Sequence, residues 1–238
     1  METRDIAYRA DGEDLLGYLA VPAGGGRGPA VLVGHEGPGL TEHTKACTRR
    51  LAELGYVAFA LDYHGGGAPI AMETAQARLR AWFADPAGIR IRAQAGLDVL
   101  IAQPDVDPGR VAAIGYCFGG ATALELARTG ADLKAVVGFH SGLKTGRPQD
   151  SANIKGKVLV LMGADDPLVP AEHRADFERD MTAAKVDWRM VVMGGVQHSF
   201  TNPDAAGLGI PGIAYDPAAD RRSWRAMLDL FAETIGIP

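Results

Sequence analysis

Two hydrophobic rhythms run along the chain. Short apolar runs alternate with longer stretches in which apolar residues recur every three or four positions. The runs predict strands over 14–21 (DLLGYLAV), 30–35 (AVLVGH), 56–63 (YVAFALDY), 110–116 (RVAAIGY), 133–141 (LKAVVGFHS), 157–163 (KVLVLMG) and 187–193 (DWRMVVM). The longer stretches predict helices over 42–54, 70–84, 89–103, 119–128, 171–184 and 222–235, with stops at Gly55 and Pro104. Strand and helix thus alternate from about residue 30 to the end. The later strands are continuously apolar, as strands buried on both faces must be. The expected fold class is α/β, a mostly parallel central sheet with helices on both faces, in one domain spanning 1–238. The segment 202–221, rich in Gly, Pro and Ala, is expected to be a long loop, a length that often carries function.

Composition narrows the function classes. The chain is 47% hydrophobic and 22% charged, ordinary for a globular protein. A net charge of −5 argues against nucleic acid or an anionic membrane as the main partner. No stretch approaches the ~20 apolar residues of a membrane span, and the charged N-terminus METRDIAYRADGEDLL lacks the apolar core of a secretion signal. The expected location is therefore cytoplasmic, with Cys47 and Cys117 as free thiols. Cys47, in the middle of a predicted helix, is expected to be core.

In a parallel α/β sheet, ligands bind beyond the carboxyl ends of the strands. The residues expected there are His35-Glu36-Gly37, Asp62-Tyr63-His64, Cys117, His140-Ser141, Asp165-Asp166 and His198. Gly115-Tyr116-Cys117-Phe118-Gly119 has the form of a nucleophile elbow, a strand-to-helix turn so sharp that the flanking glycines must lack side chains. The N-terminus of the following helix would face the sulfur and favour thiolate. The backbone N–H of Phe118 is placed to receive an oxyanion, with a second donor expected just after the strand at 30–35. His198, beyond the last strand, is the candidate base, and Asp165 or Asp166 the candidate orienting acid. The order nucleophile, acid, histidine is that of α/β-hydrolases. No HExxH spacing suggests a catalytic metal, and no G-x-G-x-x-G at the first strand–helix turn suggests a dinucleotide, so no cofactor is expected.

The segments VLVGHEGPGLTEHT (31–44), GYVAFALDYHG (55–65), IGYCFGG (114–120), LMGADDPLVP (161–170) and GGVQHSF (194–200) together resemble the dienelactone hydrolase family of the α/β-hydrolase superfamily. The resemblance implies a Cys117–His198–Asp166 triad, the acid being the aspartate before Pro167. It implies that Glu36 bonds to the resting thiol and accepts its proton when substrate arrives, and that Gly37 gives the second oxyanion N–H. It also places Arg78, Arg80 and Trp82 at a cap near the substrate, although two arginines at i and i+2 diverge on a helix. Tyr63, His64, Tyr116, Phe118 and Phe200 are further candidates to line the pocket, and His140 and Ser141 to touch substrate. The family's founding enzymes carry an arginine shortly after the catalytic histidine. Here the segment reads Thr201-Asn202-Pro203-Asp204, which leaves the acyl group of the substrate open.

The expected activity is hydrolysis of a small ester or lactone, through a thiol ester on Cys117 released by water activated at His198. A broad carboxylesterase or thioesterase of the same fold is the nearest alternative. An idle small-molecule carrier would need a broken triad, and a thiol redox sensor would need a resolving cysteine, for which Cys47 is the one candidate. The expected partner is the small substrate, the protein being a monomer or weak homodimer.

Overall fold

The computed structural model describes Met1–Pro238 apart from the side chains of Ala206 and Leu208. β1 (Glu2–Ala10) and β2 (Glu13–Val21) form a hairpin. Its two-residue turn, Asp11-Gly12, has positive φ at both positions, 52° and 75°. Asp-Gly favours that geometry because the turn's twist matches the strands. β1 was not among the expected strands: it is a mostly exposed edge strand with no apolar run to mark it.

The remaining elements alternate: β3 (Gly28–Gly34), α1 (Glu42–Glu53), β4 (Val57–Ala60), α2 (Met72–Ala84), α3 (Ala87–Ile101), β5 (Val106–Tyr116), α4 (Phe118–Arg128), β6 (Ala135–Phe139), β7 (Lys157–Gly163), α5 (Ala171–Ala183), β8 (Trp188–Met193) and α6 (Pro217–Thr234). The eight strands form one sheet in the order β1-β2-β4-β3-β5-β6-β7-β8. β1 and β2 run antiparallel to their neighbours, and every pairing from β4 to β8 is parallel. This is the expected α/β architecture.

Successive residues of the buried strands serve opposite faces, so both faces must be apolar. Val31 and Val33 of β3 join Leu51 of α1 and Trp224 and Phe231 of α6 in one core. Ala30 and Leu32 join Leu97 of α3 and Leu124 of α4 in the other. The expected loop 202–221 carries regular structure in part. It holds a 3-10 turn, Pro203–Leu208, a bridge from Ile213 to His198, and the first turn of α6. Asp216 caps that helix, accepting from Ala218 N and Ala219 N at 2.8 Å each, with Pro217 in the first turn.

β4 lies on one side of β3 and β5 on the other. The connections leaving the carboxyl ends of β3 and β5 therefore part in opposite directions and open a crevice between them. His35-Glu36-Gly37 follows β3 there, and Cys117 follows β5.

Candidate active site

Cys117 sits between β5 and α4 with φ 55° and ψ −116°. A non-glycine residue in this region costs about 1–3 kcal/mol and persists only where its surroundings enforce it. Here close backbone contact enforces it. A Cβ at Gly115 would stand 2.0 Å from the carbonyl carbon of Gly119, and one at Gly119 would stand 2.2 Å from the carbonyl oxygen of Gly34. β3, β5 and the start of α4 are thus pressed together at a seam where only glycine fits. The outcome is a partly exposed sulfur at the N-terminus of α4. The N–H of Phe118, first in the helix, has no intrahelical partner. The N–H of Gly37, across the crevice, donates to no group among the described residues.

His198 comes from the loop after β8. Its Nδ1 lies 2.7 Å from Oδ2 of Asp166, and both residues are buried. Oδ1 of Asp166 accepts from the backbone N–H of Leu168 and Val169, which locks the carboxylate's orientation. Asp165, the alternative acid, is exposed. With Nδ1 bound to carboxylate, Nε2 is turned toward the elbow and makes no hydrogen bond of its own among the described residues. Burial pushes the imidazole's pKa down, but the facing Cys117 sulfur and the Asp166 carboxylate outweigh burial and raise it to about 10. His140 packs edge-on behind His198, ring centroids 4.9 Å apart, and pairs its Nε2 with Oγ1 of Thr201 at 2.8 Å. Burial, with the charges of His198 and His43, holds His140 well below the ordinary value.

Glu36 is 7% exposed and tied to the histidine loop. Oε2 accepts from Nδ2 of Asn202 at 3.0 Å, and Oε1 accepts from the hydroxyl of Ser199 at 3.4 Å. Nδ1 of His43, on α1, stands 3.6 Å from Oε2. Burial lowers the pKa of His43, but its partners Cys47 and Glu36 raise it to about 10. Among the described residues no hydrogen bond joins Glu36 to the Cys117 thiol. The buried carboxylate is compensated, as it must be, by Asn202, Ser199 and His43. Sequence reasoning gave these three residues no role. The available signal was a run of polar residues, Ser199, Thr201 and Asn202, beside the candidate base.

The other candidates separate into two groups. Trp82 stacks on Phe118 and on His64, and meets Tyr63 edge-on, forming an aromatic wall beside the elbow. Tyr63 is fully buried, and its hydroxyl donates to the carbonyl of His35, so it props the 35–37 segment from beneath. Asp62 orders the next loop by accepting from the N–H groups of Leu16, His64, Gly65 and Gly67. Arg78 is committed to the carbonyl of His64 and to Glu13. Arg80 is exposed, with no ion pair among the described residues. Phe200, Tyr116, His140 and Ser141 are each 1% exposed or less. Phe200 and Tyr116 belong to the core on the α6 side, and the Ser141 hydroxyl bonds to the carbonyl of Gly142. Cys47, expected in the core, packs against the core on the α6 side and is partly exposed. Among the described residues no three His, Cys, Asp or Glu converge as a metal site, and no helix is long and apolar enough to cross a membrane.

Comparison with known proteins gives this geometry relatives. Residues 15–235 match the model of the Dienelactone hydrolase family. A Bradyrhizobium sp protein named as a probable 2-oxo-3-(5-oxofuran-2-ylidene)propanoate lactonase is 28% identical, covering 92% of this chain and 89% of its own. The solved structure named m3DLH is 46% identical over 98% of both chains, with a TM-score of 0.94. A dienelactone hydrolase-like promiscuous phosphotriesterase, P91, from metagenomic libraries is 44% identical over 98% of both chains, with a TM-score of 0.93.

Proposed function

The chain belongs to the dienelactone hydrolase family, and from that premise we propose that it hydrolyses a small ester or lactone through a Cys117–His198–Asp166 triad. The observation that carries this reading is a cysteine held in a strained elbow opposite a buried histidine–aspartate pair. Sγ of Cys117 attacks the carbonyl carbon. The developing oxyanion is received by the N–H groups of Phe118 and Gly37, which have no competing partner. His198 takes the thiol proton and returns it to the leaving oxygen as the C–O bond breaks, leaving a thiol ester on Cys117. His198 then takes a proton from water, whose oxygen attacks the thiol ester. Collapse releases the acid and regenerates the thiol.

Glu36 has a positioning role in this scheme. It ties the segment bearing one oxyanion donor to Ser199 and Asn202, next to the base. Taking the thiol proton would require it to leave those donors first.

The substrate is a compact, uncharged or weakly charged activated ester. The wall beside the elbow is aromatic, Arg78 is already paired, and Thr201–Asp204 brings no cation. The same features favour a secondary activity on neutral phosphotriesters, the activity named for the 44% identical relative.

The test is burst kinetics with p-nitrophenyl acetate on the wild type and Cys117→Ser, with mass spectrometry of the quenched enzyme. The expected result is an acetyl group on the peptide containing Cys117 and loss of the burst in a folded variant. Equal rates in both proteins, with no adduct, would discard the thiol-ester route.

A further inference from the structure

α1 assembles a second cysteine, histidine and carboxylate outside the triad. His43 and Cys47 are one helical turn apart and share a face. Nε2 of His43 lies 3.0 Å from the carbonyl oxygen of Thr201 and 3.6 Å from Sγ of Cys47. A carbonyl only accepts, so Nε2 carries a proton and the sulfur is its second acceptor. Nδ1 faces Oε2 of Glu36 at 3.6 Å. Acceptors on both sides of a buried ring favour the imidazolium, which sets a cation against the sulfur.

The surroundings of the sulfur differ on its two sides. Cys47 lines a pocket of about 260 Å³ together with His43, Arg50, Asp204 and Asp220. On the protein side it packs against the core, where it meets the hydroxyl of buried Tyr116. A sulfur that only filled core would not open onto a pocket with a histidine beside it.

We propose that Cys47 is a second reactive thiol, a modification site that exchanges with low-molecular-weight disulfides, with His43 as its ion-pair partner. The step is thiol–disulfide exchange. Sγ of Cys47 attacks one sulfur of the disulfide, a new S–S bond to the protein forms as the old one breaks, and the released thiolate takes up the proton that Cys47 gave up. One protein thiol is oxidised, and half of the small disulfide is reduced to free thiol. The rim carries charges of both signs, Asp204 and Asp220 beside Arg50 and His43, with Glu42 already paired to Arg49, so a small polar disulfide suits it.

The probe is cystamine, applied to the full chain at about pH 6.5, with peptide mapping to separate Cys47 from Cys117. Cys47 is expected to react at least about fivefold faster than N-acetylcysteine under the same conditions. Cys47→Ala removes that adduct, and His43→Gln slows it to the rate of the small thiol. A Cys47 rate equal to that of N-acetylcysteine, or one unaffected in a folded His43→Gln variant, would overturn the proposal. If His43→Gln fails to fold, the wild-type pH profile decides. A Cys47 rate that persists on acidification, where the small thiol's rate falls, supports the pair, and parallel profiles reject it. The readout is the adduct mass, so the outcome stands apart from any result on hydrolysis.

Discussion

Nδ1 of His198 and Oδ2 of Asp166 are 2.7 Å apart, and the two residues are 2% and 3% exposed. That pair fixes which imidazole nitrogen is free to meet the sulfur. Asp166→Asn keeps the shape but presents an amide where a carboxylate should hold the N–H, favouring the wrong tautomer. The turnover number with p-nitrophenyl acetate is expected to fall by about 10⁴, the scale known for this substitution in a serine triad. Asp165→Asn, on an exposed neighbour, is expected to stay within about twofold. Equal losses in the two variants would show that position 166 acts through the loop rather than through the histidine.

The elbow glycines are expected to be far less tolerant than Gly37. In Gly119→Ala the new Cβ meets backbone, the carbonyl oxygen of Gly34 at 2.2 Å, and neither strand nor helix can retreat. The expected cost is about 3 kcal/mol or more, at the upper end for overpacking, visible as a large fall in the urea midpoint or as insoluble protein. In Gly37→Ala the nearest atom is the end of a flexible side chain, Cδ2 of Leu79 at 3.0 Å, so stability should change little. A Gly119→Ala variant as stable as the wild type would mean that the seam between β3 and α4 is looser than these contacts.

This contrast bears on what a reader of the sequence alone can see. The buried parallel strands announce themselves as apolar runs, and the elbow does so through Gly115 and Gly119, because backbone contact leaves no other residue possible. β1 is invisible by the same logic: an edge strand owes its place to pairing with β2, which its composition does not record. α6 starts at Pro217, earlier than the expected 222, because Asp216 caps it while its apolar periodicity begins later. Asp165 and Asp166 are indistinguishable by type, and what separates them is the turn that buries one and exposes the other. Glu36 entered through the family resemblance, but its partners did not. Asn202 and His43 approach it from opposite sides across long sequence separations, and no local pattern encodes that meeting.

The Glu36–His43 contact gives a spectroscopic prediction. Glu36→Gln removes the charge that faces Nδ1 while leaving the Thr201 and Cys47 contacts of Nε2 in place. The ring of His43 is then expected to titrate below about 10, because Cys47 is left as the one partner that offsets burial. His198 keeps Asp166 and should move little. Histidine ring resonances followed by NMR across pH would check both, and an unmoved His43 would mean that Cys47 alone holds its charge.

Stability against pH follows from five buried histidines that divide into two sets. His35 is depressed to about 3, with burial the main cause. His64 and His140 are lowered as well, again chiefly by burial. In the unfolded chain each titrates near about 6.5. Below that pH the unfolded state binds protons that the folded state refuses, so their contribution is complete above about 6.5 and is lost as pH falls from there. His43 and His198 are raised to about 10 and act in the opposite sense. Their contribution is complete below about 6.5 and is lost as pH climbs toward 10. Stability is therefore expected to peak close to neutrality and to fall on both sides. Between about pH 6.5 and 5 the ordinary carboxylates are still ionised, so a decline in that window belongs to the histidines. Urea unfolding at a series of pH values measures the profile. Replacing His43 with Gln should flatten the alkaline limb and leave the acid limb intact. A midpoint constant from about pH 8 down to 5 would show that the three depressed histidines gain protons in the folded state as readily as in the unfolded one, and that their burial is relieved by motion.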